Sequence, residues 1–116
     1  MGLSTHVLDT SSGKPAAGMR IDFSEFDRGA WKLVKTVHTN ADGRTDEPLL
    51  TAAAMRTGRF MLLFHVAAYF RERGDSLPEP PFLDTVPLHF GIADRAAHYH
   101  VPLLCTPWSY GTYRGS

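Results

Sequence analysis

Three histidines, one arginine and an aromatic tail carry the chemistry this sequence can offer. His98 and His100 stand two residues apart and open the last nineteen residues, His98 to Ser116. In a strand, positions i and i+2 share a face. His98, His100, Pro102 and Leu104 therefore point one way, and Tyr99, Val101, Leu103 and Cys105 point the other. The second set reads as core, which leaves two imidazoles on a face the core does not need. His6 stands in the same relation to the first apolar run. Leu3, Thr5 and Val7 share one face there, and Ser4, His6 and Leu8 share the other. Imidazole titrates near neutrality, so a histidine pair can trade a proton with water or a ligand. Arg44 directly follows the Asp42-Gly43 turn, where a guanidinium can grip a planar carbonyl or an anionic ring with two prongs.

Each residue also has a plainer reading. A single histidine on a solvent-facing strand is commonly a surface polar group, and an arginine after a turn is commonly just solvated. Three histidines on adjoining strands would also suit zinc, which in catalytic sites often takes three protein ligands. Arg71 and Arg73 are explained as cations near a helix C-terminus. No Gly-Xaa-Ser-Xaa-Gly elbow, phosphate loop or dinucleotide fingerprint is present.

The bulk properties narrow the field. The chain has 116 residues, 43% hydrophobic and 21% charged, the size and balance of one compact domain spanning 1–116. Twelve basic and twelve acidic residues cancel. Without a basic block, neither nucleic acid nor an anionic membrane is an expected partner. Cys105 is the single cysteine; it falls on the core-facing set and has no internal disulfide partner. The opening residues, Met1 to His6, lack the basic and apolar regions of a signal peptide. No run approaches the ~20 apolar residues of a membrane span, so the expected compartment is the cytoplasm.

The elements that must position these groups are mostly strands. Leu3 to Leu8 alternates, and turn residues from Asp9 to Pro15 end it. Met19 to Phe26 and Trp31 to His38 form a hairpin around Asp27-Arg28-Gly29. Asn40-Ala41-Asp42-Gly43 is the strongest turn signal, with a short strand expected at Arg44. Leu49 to Met55 is an apolar connection. Arg59 to Val66 is almost continuously apolar and reads as a strand covered on both faces. His65 to Arg73 suits a two-turn helix stopped by Gly74. The prolines of Ser76 to Pro81 demand a loop. Strands follow at Phe82 to Ile92, Ala97 to Cys105 and Trp108 to Gly115. About eight short strands and one helix indicate an all-β, two-sheet antiparallel sandwich.

Four motifs, met in order, give this pattern a family. Leu3-Ser4-Thr5-His6-Val7-Leu8-Asp9 with Gly13-Lys14-Pro15-Ala16 resembles the opening of the transthyretin-related family. Thr39 to Arg44 and His98 to Leu104 are similar to two further motifs of that family. Tyr113-Arg114-Gly115-Ser116 is similar to the terminal tetrapeptide that separates its 5-hydroxyisourate hydrolases from the hormone carrier transthyretin. The resemblance covers essentially the whole chain. It implies a transthyretin-like sandwich assembled as a homotetramer, a dimer of dimers with sites at the dimer–dimer interface. It implies hydrolysis of 5-hydroxyisourate, with His6, Arg44, His100 and Ser116 catalytic and Tyr113 and Arg114 helping to bind substrate. His98 falls one step out from that set. No metal or organic cofactor is implied. The alternative within the family is a non-catalytic small-molecule carrier. Departures fall at Cys105, Thr106 and Trp108, at or beside core-facing positions.

Overall fold

Period-2 alternation gives most of the long strands one apolar face, and two sheets close those faces on each other. The computed structural model describes residues 2–115. In chain order the strands are β1 (Gly2–Asp9), β2 (Lys14–Pro15), β3 (Arg20–Asp27), β4 (Ala30–His38), β5 (Leu50–Thr51), β6 (Gly58–Phe64), β7 (Val86–Ile92), β8 (Tyr99–Cys105) and β9 (Tyr110–Thr112). One helix, α1 (Val66–Glu72), lies between β6 and β7. The first sheet runs β2-β1-β8-β9, with β5 beside β1, and the second runs β4-β3-β6-β7. All pairs are antiparallel except β1 with β8, which is parallel.

The core lies between the sheets. Leu3, Val7, Tyr99, Val101 and Leu103 from one meet Ile21, Phe23, Phe60, Leu62, Phe64, Val86 and Leu88 from the other. The sandwich expected from the strand spacing is therefore present, and Cys105 is buried as its parity required. Burial pushes its thiol up to about 12, with the nearby Asp9 carboxylate adding to the shift. A thiol held that far from thiolate is inert at neutral pH.

Several boundaries differ from expectation for physical reasons. β6 is not covered on both faces: Phe60, Leu62 and Phe64 are buried, while Met61 and Leu63 are only half-buried on the outer side. The strand expected from Phe82 begins at Val86, because the residues after Pro81 run as an irregular loop. The connection Leu49 to Met55 contains β5, which pairs with the start of β1, and a 3-10 turn, Ala52–Ala54. The short strand expected at Arg44 reduces to one bridge with His6. The helix falls inside its expected span, with His65 and Arg73 as its flanking caps.

One buried carboxylate ties the helix to the first sheet. Asp9 ends β1 and is fully buried. It accepts the Ser11 N–H at 3.0 Å, the Ser11 hydroxyl at 2.6 Å and the Ser12 N–H at 3.1 Å. From α1 it receives the Tyr69 hydroxyl at 3.0 Å, and just beyond the helix the Arg73 guanidinium. Burial alone would raise its pKa, but the donors from Ser11, Tyr69 and Ser12 together outweigh burial and hold it below the usual carboxylate value. A carboxyl group depressed on folding adds stability above its unfolded pKa and loses it as pH falls through the folded value. Replacing Asp9 with Asn removes a buried charge that four donors converge on and sets an amide NH2 against some of them. We expect Asp9→Asn to lower the unfolding free energy by about 1–3 kcal/mol at neutral pH. The deficit should begin to narrow below about pH 4, where Asp9 of the unfolded parent chain starts to protonate, and close as the pH falls through the lower folded-state value. Denaturant titrations at both pH values measure this, and a variant as stable as the parent at neutral pH would show that Asp9 does not anchor the helix.

Candidate active site

The parallel register of β1 and β8 sets the histidines on one outer face. Ser4 stands opposite His100, and His6 opposite Pro102. Two isolated bridges then add neighbours from elsewhere in the chain: Arg44 beside His6, and Gly115 beside His100. The Arg44 bridge is delivered by a tight turn closed on itself. The Asn40 carbonyl accepts the Gly43 N–H at 2.9 Å, and the Asn40 side-chain oxygen accepts the Asp42 and Arg44 N–H groups at 2.9 and 3.2 Å. The Gly43 carbonyl in turn accepts the Val7 N–H at 2.8 Å, which docks the turn on β1. Gly43 has φ +73°, and a Cβ there would run into the Val7 carbonyl oxygen. Only glycine meets both demands.

This turn brings His6 a fixed acceptor and a fixed cation. His6 Nε2 lies 3.0 Å from the Asp42 carbonyl oxygen. A carbonyl only accepts, so Nε2 carries the hydrogen, and in the neutral ring Nδ1 keeps a lone pair. The His6 pKa is lowered by partial burial first and by the Arg44 charge second, while the Asp42 hydrogen bond pulls the other way. His100 Nδ1 lies 2.7 Å from the Ser4 hydroxyl. Its pKa is also lowered, by burial and then by Arg44, His6 and His98. His98 lies alongside, its ring 6.5 Å from that of His100 and nearly parallel at 11°. Its Nδ1 accepts the Gly2 N–H at 3.2 Å. The face thus presents two imidazoles, His6 and His100, biased toward neutrality beside a guanidinium. Neutral rings offer lone pairs and N–H groups; the guanidinium supplies the positive charge.

The tail follows a different course from His6 and His100. The Gly115 N–H donates to the His100 carbonyl at 2.8 Å, and a Cβ on Gly115 would sit 2.6 Å from His100 Cδ2. Arg114 turns to the Tyr99 side of β8, where its guanidinium lies 4.1 Å from the Tyr99 ring centre and donates to the His98 carbonyl at 3.3 Å. Tyr113 is exposed. Tyr113 and Arg114 line a cavity of about 260 Å³ with Leu88, Phe90, Tyr99 and Val101, at the open edge between the sheets. Ser116 lies outside the described residues. Among the described residues no three His, Cys, Asp or Glu side chains are grouped as metal ligands, and no helix is long and apolar enough to cross a membrane.

Sequence reasoning missed three members of this constellation: Ser4, the Asp42 carbonyl and Gly115. Parity already set Ser4 on the His6 face. Its contact with His100 depends on the register across β1 and β8, which parity does not specify.

The model of the HIUase/Transthyretin family matches residues 3–115. The chain belongs to this family. It is 55% identical over 114 residues to 5-hydroxyisourate hydrolase 2 of Rhizobium meliloti, covering 98% of this chain and 95% of that one. Among solved structures, the 5-hydroxyisourate hydrolase of Klebsiella pneumoniae superposes with TM-score 0.80 at 34% identity, covering both chains fully (100% each). The structure of an (S)-allantoin synthase superposes with TM-score 0.91 at 42% identity. There the match takes in 99% of this chain but only 43% of the synthase, so this chain spans less than half of that longer protein.

The electrostatic role of Arg44 can be read without any substrate. Its charge disfavours a second cation on either His6 or His100, so removing it lets both rings protonate more readily. In nuclear magnetic resonance titrations, both imidazoles of the parent protein should titrate below 6.5, the ordinary histidine value. Both should move upward in Arg44→Gln. Added salt should shrink the difference, because Arg44 is exposed. Unchanged titration in the variant would place Arg44 too far away to act on them.

Proposed function

We propose that this protein is a hydrolase that opens the ring of 5-hydroxyisourate with water, giving 2-oxo-4-hydroxy-4-carboxy-5-ureidoimidazoline. The observation that carries this reading is the convergence of two half-buried imidazoles, biased toward neutrality, and one guanidinium on a single outer face. A hydrolase relative 55% identical over nearly the whole chain supports it.

The reaction asks for three things. The ring carbonyl must be polarised, water must lose a proton as its oxygen bonds to that carbon, and the departing ring nitrogen must gain one. Arg44 can hold the substrate oxygen and offset the charge that develops there, a role worth ~3 kcal/mol per donor. His6 and His100 handle the protons. His6 is equipped for the first transfer, since Nε2 is engaged by the Asp42 carbonyl and Nδ1 keeps its lone pair. Ser116 positions the substrate from the tail, which Gly115 holds against His100; Tyr113 lies toward the Tyr99 cavity and supports that tail. Arg114 braces that tail on Tyr99. No cofactor takes part in this scheme.

The same reading makes the protein a homotetramer, a dimer of dimers in which two such faces meet. Support comes from the site itself. In one subunit Arg44 stands exposed on this face, whereas a hydrolytic site gains from exclusion of bulk water. A cleft between subunits supplies that wall.

The test follows the ultraviolet signal of 5-hydroxyisourate generated freshly from urate. The parent protein should speed its loss. His6→Ala and His100→Ala should each cut kcat/KM by at least about 100-fold, and Arg44→Gln by a similar factor. Sedimentation should give four subunits for the parent and all variants. Decay at the uncatalysed rate with the parent protein, or full turnover by the three variants, would overturn the reading.

A further inference from the structure

We propose that Ser4 is a positioning residue: its hydroxyl donates to His100 Nδ1 and fixes the ring as the tautomer that presents an N–H at Nε2. This narrows the scheme above, in which the two histidines share the proton steps: His100 becomes a hydrogen-bond donor to the substrate oxygen and His6 the one proton carrier. The inference rests on the hydrolase reading above.

β1 treats the two histidines of β8 alike. Across the parallel pair, the Gly2 N–H reaches Nδ1 of His98 and the Ser4 hydroxyl reaches Nδ1 of His100. The donors sit two residues apart on one strand and the acceptors two apart on the other, so one register serves both. For His98 the assignment is forced, because an amide N–H can only donate. For His100 the hydroxyl can in principle give or take. Two observations point to donation by Ser4. Among the described residues, His100 Nδ1 is the hydrogen-bond partner that the Ser4 hydroxyl has, and a half-buried hydroxyl hydrogen needs an acceptor. The ring is also held toward its neutral form by burial and by Arg44, His6 and His98, so it carries one hydrogen, which then sits on Nε2.

The tautomer sets what His100 can do. A neutral imidazole N–H is a good hydrogen-bond donor but a poor acid, because its loss would leave an imidazolate. Beside Arg44, it stabilises the oxygen on which charge develops. His6 then performs both proton steps. As the water oxygen bonds to the ring carbonyl carbon, a water proton passes to His6 Nδ1, and the Asp42 carbonyl steadies the resulting imidazolium through Nε2–H. When the carbon–nitrogen bond breaks, that proton moves from Nδ1 to the departing nitrogen. The second water proton stays on the new carboxyl group and is released as it ionises. Without Ser4, His100 is free to carry its hydrogen on Nδ1 and turn a lone pair toward a developing negative charge.

The experiment combines ring-nitrogen resonances of histidine-labelled protein with kinetics. In the unmodified protein at neutral pH, His100 should show a protonated Nε2 and an unprotonated, hydrogen-bonded Nδ1. Ser4→Ala should give a mixed tautomer signal and a kcat roughly ten-fold lower, with KM little changed. Ser4→Thr restores the hydroxyl and should recover both the single tautomer and most of the lost kcat. A protonated Nδ1 in the unmodified protein, or undiminished kcat in Ser4→Ala, overturns the inference. The first of these needs no variant to fold. His100→Ala separates the two readings. If it keeps full turnover, the hydrolase site itself is misassigned. If it is inactive while Ser4→Ala is unimpaired, only the role of Ser4 falls.

Discussion

The parallel pairing of β1 with β8 is the constraint on which the site depends. In a sandwich otherwise built from antiparallel neighbours, this pair joins residues almost a hundred positions apart, such as Ser4 with His100. Its register decides which histidine meets which donor. The Asn40–Arg44 turn then docks on the same strand through the Val7 and Gly43 backbones, bringing Arg44 to His6. Every polar group of the face is therefore referred to β1, directly or through one hydrogen bond. Sites held on strands in this way are positioned more tightly than sites carried on loops.

Electrostatics on this face work by exclusion. Arg44 is the fixed cation, and its charge disfavours protonation of the two imidazoles nearest to it. Partial burial acts in the same direction. A site needing a strong base at neutral pH would raise its histidines with carboxylates; this one lowers them. What it gains is a large share of neutral rings under ordinary conditions, each with one lone pair and one N–H, beside the permanent positive charge of Arg44. The ring nitrogens differ in use because their partners differ: a carbonyl for His6 Nε2, an amide for His98 Nδ1 and a hydroxyl for His100 Nδ1.

Parity in the sequence revealed the strands, their buried faces and the residues on the opposite face. His6, His98 and His100 lie on the outer side for that reason, and Cys105 lies inside. The Asp42-Gly43 signal located the turn that carries Arg44. What parity could not supply is pairing between strands. Nothing local to Leu3–Leu8 says that it runs parallel to β8 or that Ser4 lands on His100. Nothing local to Asp9 says that Tyr69 and Arg73 will close over it, since those contacts span 60 and 64 residues. The apolar run of β6 suggested cover on both faces, yet Met61 and Leu63 are left half-buried. Apolar composition reports what a residue tolerates, and the number of layers decides what it receives.

β1 carries three duties in eight residues, and they lock one another. Leu3 and Val7 fill the core, Ser4 and His6 serve the outer face, and Asp9 anchors α1. A slip of one residue would turn Ser4 and His6 inward and Leu3 and Val7 outward. It would bury a hydroxyl and an imidazole away from their partners and draw the Asp9 carboxylate off its donors. Each such loss costs on the order of 1–3 kcal/mol, and all would fall together, along with the apolar area surrendered by Leu3 and Val7. The geometry that positions Ser4 against His100 is thus enforced by core packing and by the buried Asp9 carboxylate on the same strand, so the site inherits its precision from the interactions that hold the fold.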